Sequence, residues 1–231
     1  MNEANDNPFE EKHVAEEWIA AVESEFGGAR ENEVYPRLNN WISNNKWKSV
    51  LEIGSGQGVC SGHIQVDEYI GIEPSSFLVD RANQLYKAVN RKFIKGSAYN
   101  LDFEESIFDA AFSVGVWFHL ENLNNVHSEL KKVLREGGGL LIVTSNPDVH
   151  DVWESIVVGE KEGKRIEGEA LLPTGKLSRN IFYLHSEKEI VSSLEKNSFE
   201  VIDIQKFGSG SKNVEKGTEK VWMSVEAIKK G

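Results

Sequence analysis

The chain has 231 residues and a formal net charge of -11, with 37 Asp and Glu residues against 26 Lys and Arg. This length suits a single α/β domain with a substantial core. The negative charge disfavours a nucleic-acid substrate, because the binding of phosphate backbones depends on clustered Lys and Arg side chains. The single cysteine, Cys60, excludes an internal disulfide bond and a cysteine-cluster zinc site, and we expect no metal centre.

The beginning of the chain and its hydropathy bear on its location. Residues 1–12 are acidic and polar, unlike a secretory signal. No apolar run approaches the roughly 18–20 residues that a membrane helix needs. We therefore expect one cytoplasmic domain, residues 1–231, without a membrane partner. The sequence leaves the oligomeric state open.

The first predicted elements are helices at residues 13–25 and 33–43, followed by a short buried strand at residues 50–53. This strand leads into the run Gly54-Ser55-Gly56-Gln57-Gly58. Alternate glycines let a backbone turn tightly and approach a ligand at distances that a β-carbon forbids. The segment therefore predicts a glycine loop that binds a nucleotide-type cofactor.

Further strands and helices alternate after the glycine loop. A second apolar stretch ends at Glu73, and Ser75 or Ser76 caps a helix that reaches about residue 90. A third strand-like run precedes Lys95-Gly96-Ser97-Ala98, and a fourth spans residues 108–113. This alternation predicts a mostly parallel sheet that is covered by helices on both faces.

The C-terminal half is predicted to complete the sheet. An amphipathic helix at residues 123–134 is followed by Gly137-Gly138-Gly139, which we interpret as a break before a fifth strand at 140–144. Ser186 opens a later helix with a capping box. Residues 200–207 and 220–228 then indicate two strands, which form a hairpin at one edge of the sheet.

Residues 148–185 are too long for a plain connection and contain two strand-like runs, 165–172 and 177–184. Connections of this length are usually functional lids or disordered, and the alternating apolar pattern favours order. We expect this insertion and the N-terminal helical segment, residues 1–45, to cover a substrate. Candidate pocket residues within the insertion are Asp148, His150, Trp153, Arg179 and Tyr183, although a structural or surface role is the simpler interpretation for each.

Taken in order, these motifs resemble the class I S-adenosylmethionine-dependent methyltransferases. Dinucleotide-binding folds use G-x-G-x-x-G, whereas here Val59 occupies the third glycine position and the glycines run G-x-G-x-G. This spacing favours S-adenosylmethionine over NAD. The resemblance covers roughly residues 33–147. It implies a Rossmann-like, doubly wound α/β fold with a mostly parallel seven-stranded sheet and an antiparallel strand in the C-terminal hairpin.

The resemblance also implies a site for S-adenosylmethionine and its product S-adenosylhomocysteine. Glu73 stands where the family places an acidic residue on the ribose hydroxyls. Glu52 stands where an acidic residue orients the loop and the amino group of the cofactor. Ser97 and Ala98 fall in the adenine-contacting segment, where relatives often carry an acid instead of Ser97. The full expected set is Glu52, Gly54, Ser55, Gly56, Gly58, Glu73, Pro74, Ser97, Ala98, Ser113 and Val114.

The remaining candidates lie beside this set. His119, after the fourth strand, is the candidate general base by motif position, although Phe118 replaces the first residue of a His-His pair found in related enzymes. A helix-packing role for His119 is the alternative. Tyr35 and Arg37 are candidates for contact with the cofactor or its carboxylate, although a surface role is the simpler interpretation. His185 is expected to be local structure, and Cys60 to be a packing residue.

The resemblance implies methyl transfer to an unidentified small molecule by in-line displacement. A general base is needed only for an acceptor that is protonated at neutral pH, such as a phenol. Two alternatives stay open at this point. One is a scaffold that binds S-adenosylmethionine without turnover, and the other is an NAD-dependent oxidoreductase.

Overall fold

The computed structural model describes residues 7–24, 30–149, 157–171, 177–209 and 220–231. Six α-helices lie in this part of the chain: α1 (Lys12–Ser24), α2 (Tyr35–Asn45), α3 (Val59–His63), α4 (Ser76–Tyr86), α5 (Leu123–Val133) and α6 (Glu187–Lys196). Ten strands accompany them: β1 (Ser49–Ile53), β2 (Glu68–Glu73), β3 (Arg91–Lys95), β4 (Phe108–Val114), β5 (Leu134–Ser145), β6 (Val157–Glu162), β7 (Arg165–Leu171), β8 (Leu177–Tyr183), β9 (Phe199–Ser209) and β10 (Lys220–Lys229). None of the helices described is both long and apolar enough to cross a membrane.

The main sheet has seven strands in the order β3-β2-β1-β4-β5-β10-β9. The first five strands are parallel, and β10 runs antiparallel to both β5 and β9. The predicted α/β fold is therefore confirmed, including the antiparallel strand of the C-terminal hairpin. Strands β1 and β4 are adjacent, but the chain continues from β1 to β2 on one side and from β4 to β5 on the other. The carboxyl ends of β1 and β4 therefore border a crevice, which is where ligands bind in such folds.

Helices cover both faces of the sheet, as predicted. On one face α2, α3 and α4 pack on Val50, Phe93 and Phe112, and on the other α5 and α6 pack on Leu51, Ile142 and Val225. The central strands are apolar on both sides because both sides are covered. This double burial makes the carboxyl ends of β1, β2 and β4 a rigid platform.

One helix boundary differs from the prediction and another agrees with it. Helix α4 ends at Tyr86 rather than near residue 90, because the chain leaves helical geometry at Lys87. Its buried side consists of Leu78, Val79 and Ala82, whereas Phe77 and Leu85 are 37% and 46% exposed. The capping box at Ser186 and Glu189 is confirmed.

The glycine run before the fifth strand lies inside β5 instead of ending a helix and starting a strand. Phe108 pairs with Leu134 and Ala110 pairs with Gly139, so two steps along β4 match five steps along β5. The intervening residues bulge outward, and Gly137 supplies the positive φ of 71° that the bulge requires. The predicted break is thus an irregularity within a continuous strand.

The insertion forms a second sheet, in the order β6-β7-β8, with antiparallel pairing throughout. Strands β7 and β8 match the two predicted runs, but β6 was not predicted. Ile166, Ile181 and Phe182 are its buried apolar residues in the described part, and Phe118 of the main domain packs against Ile166 and Phe182. The small sheet is thereby attached next to the carboxyl end of β4.

Candidate functional site

The glycine loop connects β1 to α3, and its three glycines have positive φ angles of 67°, 54° and 84°. A β-carbon on Gly54 would overlap the side chain of Val116, and one on Gly58 would lie 2.8 Å from the ring of Phe93. A β-carbon on Gly56 would meet no atom within 4 Å. Gly54 and Gly58 thus permit packing, whereas the backbone of Gly56 faces open space suited to a ligand.

Glu73 ends β2 beside this open space and is only 6% exposed. One of its carboxylate oxygens accepts a hydrogen bond from the backbone N–H of Gly56 at 3.1 Å, and the other accepts from the backbone N–H of Ser75 at 3.0 Å. Burial raises the pKa of Glu73 to about 7, and the two backbone donors oppose that rise. Glu73 therefore ties the glycine loop to the end of β2.

Glu52 lies one strand away and is 2% exposed. The hydroxyl of Tyr69 donates a hydrogen bond to its carboxylate, and the thiol of Cys60 does the same. Burial raises the pKa of Glu52 to about 7, against the lowering effect of these donors and of the positive charge on Arg30. Burial also raises the pKa of the Cys60 thiol, which agrees with a packing role rather than a reactive one.

Several buried polar atoms near the carboxyl ends of β1 and β4 have no hydrogen-bond partner within the described part of the chain. They are Ser55 Oγ, Gln57 Oε1, Ser113 Oγ and Arg30 Nε. Buried polar atoms are rarely left unpaired in proteins, and each costs free energy unless a ligand or water satisfies it. These atoms therefore fit a polar ligand bound next to the glycine loop.

Arg30 is the residue that the sequence analysis missed. It begins a π-helical turn, Arg30–Val34, and its guanidinium carbon lies 5.9 Å from the ring centroid of Trp18. One of its terminal nitrogens lies 3.7 Å from the place that a β-carbon on Gly115 would take, at the end of β4. Among the described residues no carboxylate forms an ion pair with it. A guanidinium held in this way suits an anionic ligand group.

The other expected cofactor residues border the same region. Ala98 is buried in the core beside Ile72, and Pro74 is exposed after the end of β2. Ser113 and Val114 form the buried end of β4. Ser97 is half-buried, and its hydroxyl oxygen accepts a hydrogen bond from the backbone N–H of Tyr99 at 3.2 Å. One lone pair of Ser97 is therefore already engaged by the local turn.

A short 3₁₀ turn, Trp117–His119, follows β4. A relay of buried side-chain hydrogen bonds holds this turn in place. The indole N–H of Trp117 donates to Nε2 of His127 at 3.2 Å, and Nδ1 of His127 contacts the hydroxyl of Ser193 at 2.8 Å. Ser193 in turn donates to the side-chain oxygen of Asn124 at 3.1 Å. Burial lowers the pKa of His127 to about 3, so its ring is neutral at physiological pH. The relay gives the turn a defined position.

His119 lies at the end of this turn among aromatic rings. The ring centroids of Phe118, Phe182 and Phe9 lie 4.5, 5.2 and 6.4 Å from that of its imidazole. Its Nδ1 lies 3.2 Å from the carbonyl oxygen of Ile181, which makes Nδ1 the protonated nitrogen and leaves a lone pair on Nε2. Burial lowers the pKa of His119 to about 4. The imidazole is neutral near pH 7, as a proton acceptor must be.

The small sheet is attached to the same turn. Nε2 of His185 donates to the carbonyl oxygen of Leu120 at 2.6 Å, so His185 has a structural role, as predicted. Among the candidate pocket residues, Asp148 forms an ion pair with Lys206 and Arg179 forms one with Glu167, both at the surface. Tyr183 stacks on His185 with centroids 6.4 Å apart. The candidates His150 and Trp153 lie outside the described residues.

Tyr35 and Arg37, both in α2, each contact other side chains of the protein. Tyr35 is 3% exposed and stacks on His63 with centroids 4.1 Å apart. Arg37 donates to the side chain of Gln205 at 2.7 Å, and its guanidinium lies 4.3 Å from the ring centroid of Phe207. Both contacts of Arg37 are with β9, at the far end of the sheet from β2. Arg30, not Arg37, therefore lies at the glycine-loop end of the sheet.

Comparisons with known proteins agree with this architecture. A family model described as a methyltransferase domain matches residues 51–142. The sterol 24-C-methyltransferase of Candida albicans is 26% identical over 164 residues, which are 68% of this chain and 41% of that protein. The tRNA U34 carboxymethyltransferase of Saccharophagus degradans is 27% identical over 198 residues, which are 79% of this chain and 54% of that protein. The chain thus spans about half or less of these curated relatives.

Solved structures show the same fold. A protein of Pyrococcus horikoshii has a TM-score of 0.69 at 19% identity, covering 91% of this chain and 93% of its own. A SAM-dependent methyltransferase from Methanosarcina mazei has a TM-score of 0.63 at 20% identity, covering 82% of this chain and 97% of its own. The family-model match identifies a methyltransferase domain at residues 51–142, and the solved structures share its fold. They support S-adenosylmethionine as the cofactor, as the sequence predicted.

Proposed function

We propose that this protein binds S-adenosylmethionine at the glycine loop and transfers its methyl group to a small-molecule acceptor. The observation that carries the proposal is the open space at Gly56, bordered by the buried carboxylate of Glu73. Glu73 is a candidate acceptor for the ribose hydroxyls, and Arg30 is a candidate donor to the cofactor carboxylate. Glu52 lies beneath the loop, where its charge favours the cofactor's ammonium group.

The bound cofactor supplies the reactive group, since its sulfonium makes the methyl carbon electrophilic and leaves as a neutral thioether. The chain therefore has to bind, orient and exclude water. The backbone of Gly56, together with Ser97, Ala98, Ser113 and Val114, provides the walls that orient the ligand. The remaining expected members of this set are Gly54, Ser55, Gly58 and Pro74.

We propose that the acceptor binds beside the Trp117–His119 turn. The aromatic rings around His119 give an apolar surface that excludes water and favours a small apolar or aromatic acceptor. For a hydroxyl or phenol acceptor, Nε2 of His119 would take the proton that is lost when the methyl group is transferred. The N-terminal helical segment and the insertion together form the cover over this acceptor.

The names of these relatives do not select the acceptor. One relative acts on sterols and another on tRNA, and these substrates share neither size nor charge. A net charge of -11 favours the small molecule over the polynucleotide. We therefore retain a small-molecule acceptor as the proposal.

The test is transfer of a labelled methyl group from S-adenosylmethionine to a panel of small molecules that spans phenols, amines, thiols and carboxylic acids. The panel is run with wild-type protein and with the Glu73→Ala variant. Transfer to a member of the panel that is lost in the variant supports the proposal. Tight cofactor binding with no transfer to any member, nor to a small-molecule extract, would point to the silent scaffold instead.

A further inference from the structure

The N-terminal segment lies across the candidate cofactor site, although none of its residues belongs to a recognised motif. It begins with a 3₁₀ turn, Pro8–Glu10, whose start is capped by Asn7 through a hydrogen bond from the backbone N–H of Phe9 at 3.1 Å. Helix α1 follows after one residue. We refer to residues 7–19 as the strap.

The strap is attached to the carboxyl ends of β2 and β3. The hydroxyl of Ser75 donates to the carbonyl oxygen of Phe9 at 2.5 Å, while the backbone N–H of the same serine donates to Glu73. The carboxylate of Glu10 forms an ion pair with the ammonium group of Lys95 at 2.6 Å. Lys95 also donates to the hydroxyl of Ser76 at 2.8 Å. These contacts place the strap directly beside Glu73.

The strap also reaches the glycine loop and the His119 turn. The side-chain amide of Gln57 donates to the carbonyl oxygen of Ile19 at 3.5 Å. The ring of Phe9 lies 5.5 Å from that of Trp18 and 6.4 Å from that of His119, between centroids. The strap therefore contacts the candidate cofactor site on its Glu73 side, at the glycine loop and beside His119.

We propose that the strap forms the outer wall of the cofactor site and that the Glu10–Lys95 ion pair is a latch that controls cofactor exchange. This inference rests on the proposed function, because it takes the region of Gly56 and Glu73 as the cofactor site. With the strap in this position, bound cofactor leaves only after the Ser75–Phe9 hydrogen bond and the Glu10–Lys95 ion pair have separated. Lys95 is 57% exposed, so the latch is weak enough to open repeatedly.

The test is the rate at which S-adenosylhomocysteine dissociates, measured by stopped-flow displacement. Glu10→Gln and Lys95→Gln are each expected to speed dissociation about two- to fivefold, the range of one partly exposed ion pair. The charge-swapped double variant, Glu10→Lys with Lys95→Glu, is expected to return to within about twofold of the wild-type rate. Lys92→Gln is the matched control, because Lys92 is exposed on the same strand and lies outside the strap contacts.

A second readout needs no cofactor. Amide hydrogen exchange in the free protein is expected to become faster across residues 7–19 in Glu10→Gln, with no change in α5. Wild-type dissociation rates together with wild-type exchange in both latch variants would overturn the inference. Failure of the wild-type protein to bind S-adenosylhomocysteine would instead contradict the proposed function, and the strap proposal would fall with it.

Discussion

The glycine-loop region and the small sheet use charged side chains in opposite ways. At the glycine loop, Glu52 and Glu73 are buried, and their oxygens accept hydrogen bonds from a tyrosine, a thiol and two backbone N–H groups. In the small sheet, Glu167 forms ion pairs with Arg165 and Arg179 at the surface. Water screens the second arrangement but not the first.

The contrast indicates where binding specificity is concentrated. A buried carboxyl costs stability whenever it is ionised, and a protein keeps such a cost where it serves function. Exposed ion pairs cost little free energy of folding, and their partners are easily replaced by water. We infer that cofactor recognition depends on a few buried groups, whereas the small sheet contributes mainly the apolar face formed by Ile166 and Phe182.

The largest expected effect comes from removing the buried carboxylate next to Gly56. Glu73→Ala should weaken S-adenosylhomocysteine binding about 100-fold, because the variant loses the two hydrogen bonds expected from the ribose hydroxyls to the carboxylate. Each charge-assisted hydrogen bond is worth roughly 1.5–3 kcal/mol before the site relaxes around the substitution. Isothermal titration calorimetry measures the change. Glu167→Ala in the small sheet is the control, and an equal loss in both variants would remove the distinction between the two regions.

A pair of glycine variants separates ligand binding from packing within the loop. Gly56→Ala places a β-carbon in open space, so it should weaken cofactor binding by roughly 30-fold through strain and lost space, with a modest loss of stability. Gly58→Ala places one 2.8 Å from Phe93 and should mainly lower the melting temperature. Calorimetric titration and thermal unfolding of both variants measure these effects. A reversed pattern would show that the open space at Gly56 is not the binding site.

A pair of arginine variants tests whether Arg30, rather than Arg37, contacts the cofactor. Arg30→Ala should weaken cofactor binding about tenfold, in keeping with the loss of one charge-assisted hydrogen bond. Arg37→Ala should leave binding within about twofold, because its guanidinium contacts Gln205 and Phe207. Calorimetry of the two variants measures the difference. Equal affinities would exclude Arg30 from the site.

The glycine loop and Glu73 were predictable because their signals are local in sequence. The open space at Gly56 needs only a strand, a turn and a helix that are consecutive in the chain. Arg30 was not predictable, since its position depends on packing against Trp18 and the end of β4, far away in sequence. Arg37 was a candidate from its place before β1, with a surface role as the simpler interpretation, and its partner Gln205 lies 168 residues away.

The structure of the insertion was predicted only in outline for the same reason. The runs that became β7 and β8 alternate apolar and polar residues, whereas β6 has the sequence VVGEKE and shows little alternation. The aromatic surroundings of His119 combine Phe9, Phe118 and Phe182, which three separate segments supply. Such convergence is a property of the fold and leaves no pattern in any one segment.

The smallest expected effect is the pH dependence of binding. Burial raises the pKa of Glu52 and Glu73 to about 7 from an ordinary value of 4.5. The free protein should therefore lose stability as pH rises from about 4.5 to 7, because the folded state holds protons that the unfolded state releases. Binding shows the opposite trend, since the ionised carboxylate is the better acceptor, and affinity should fall about five- to tenfold from pH 8 to pH 6. Titrations at both pH values measure the change, which Glu73→Gln should reduce while the contribution of Glu52 remains. A pH-independent affinity of the wild-type protein would contradict this role.

The central claim is that the space between Gly56 and Glu73 binds an S-adenosyl cofactor. Its most direct test is calorimetric titration of the wild-type protein with S-adenosylmethionine, S-adenosylhomocysteine and NAD under identical conditions. We predict binding of both S-adenosyl compounds with micromolar dissociation constants and no binding of NAD. Binding of NAD alone would contradict the account.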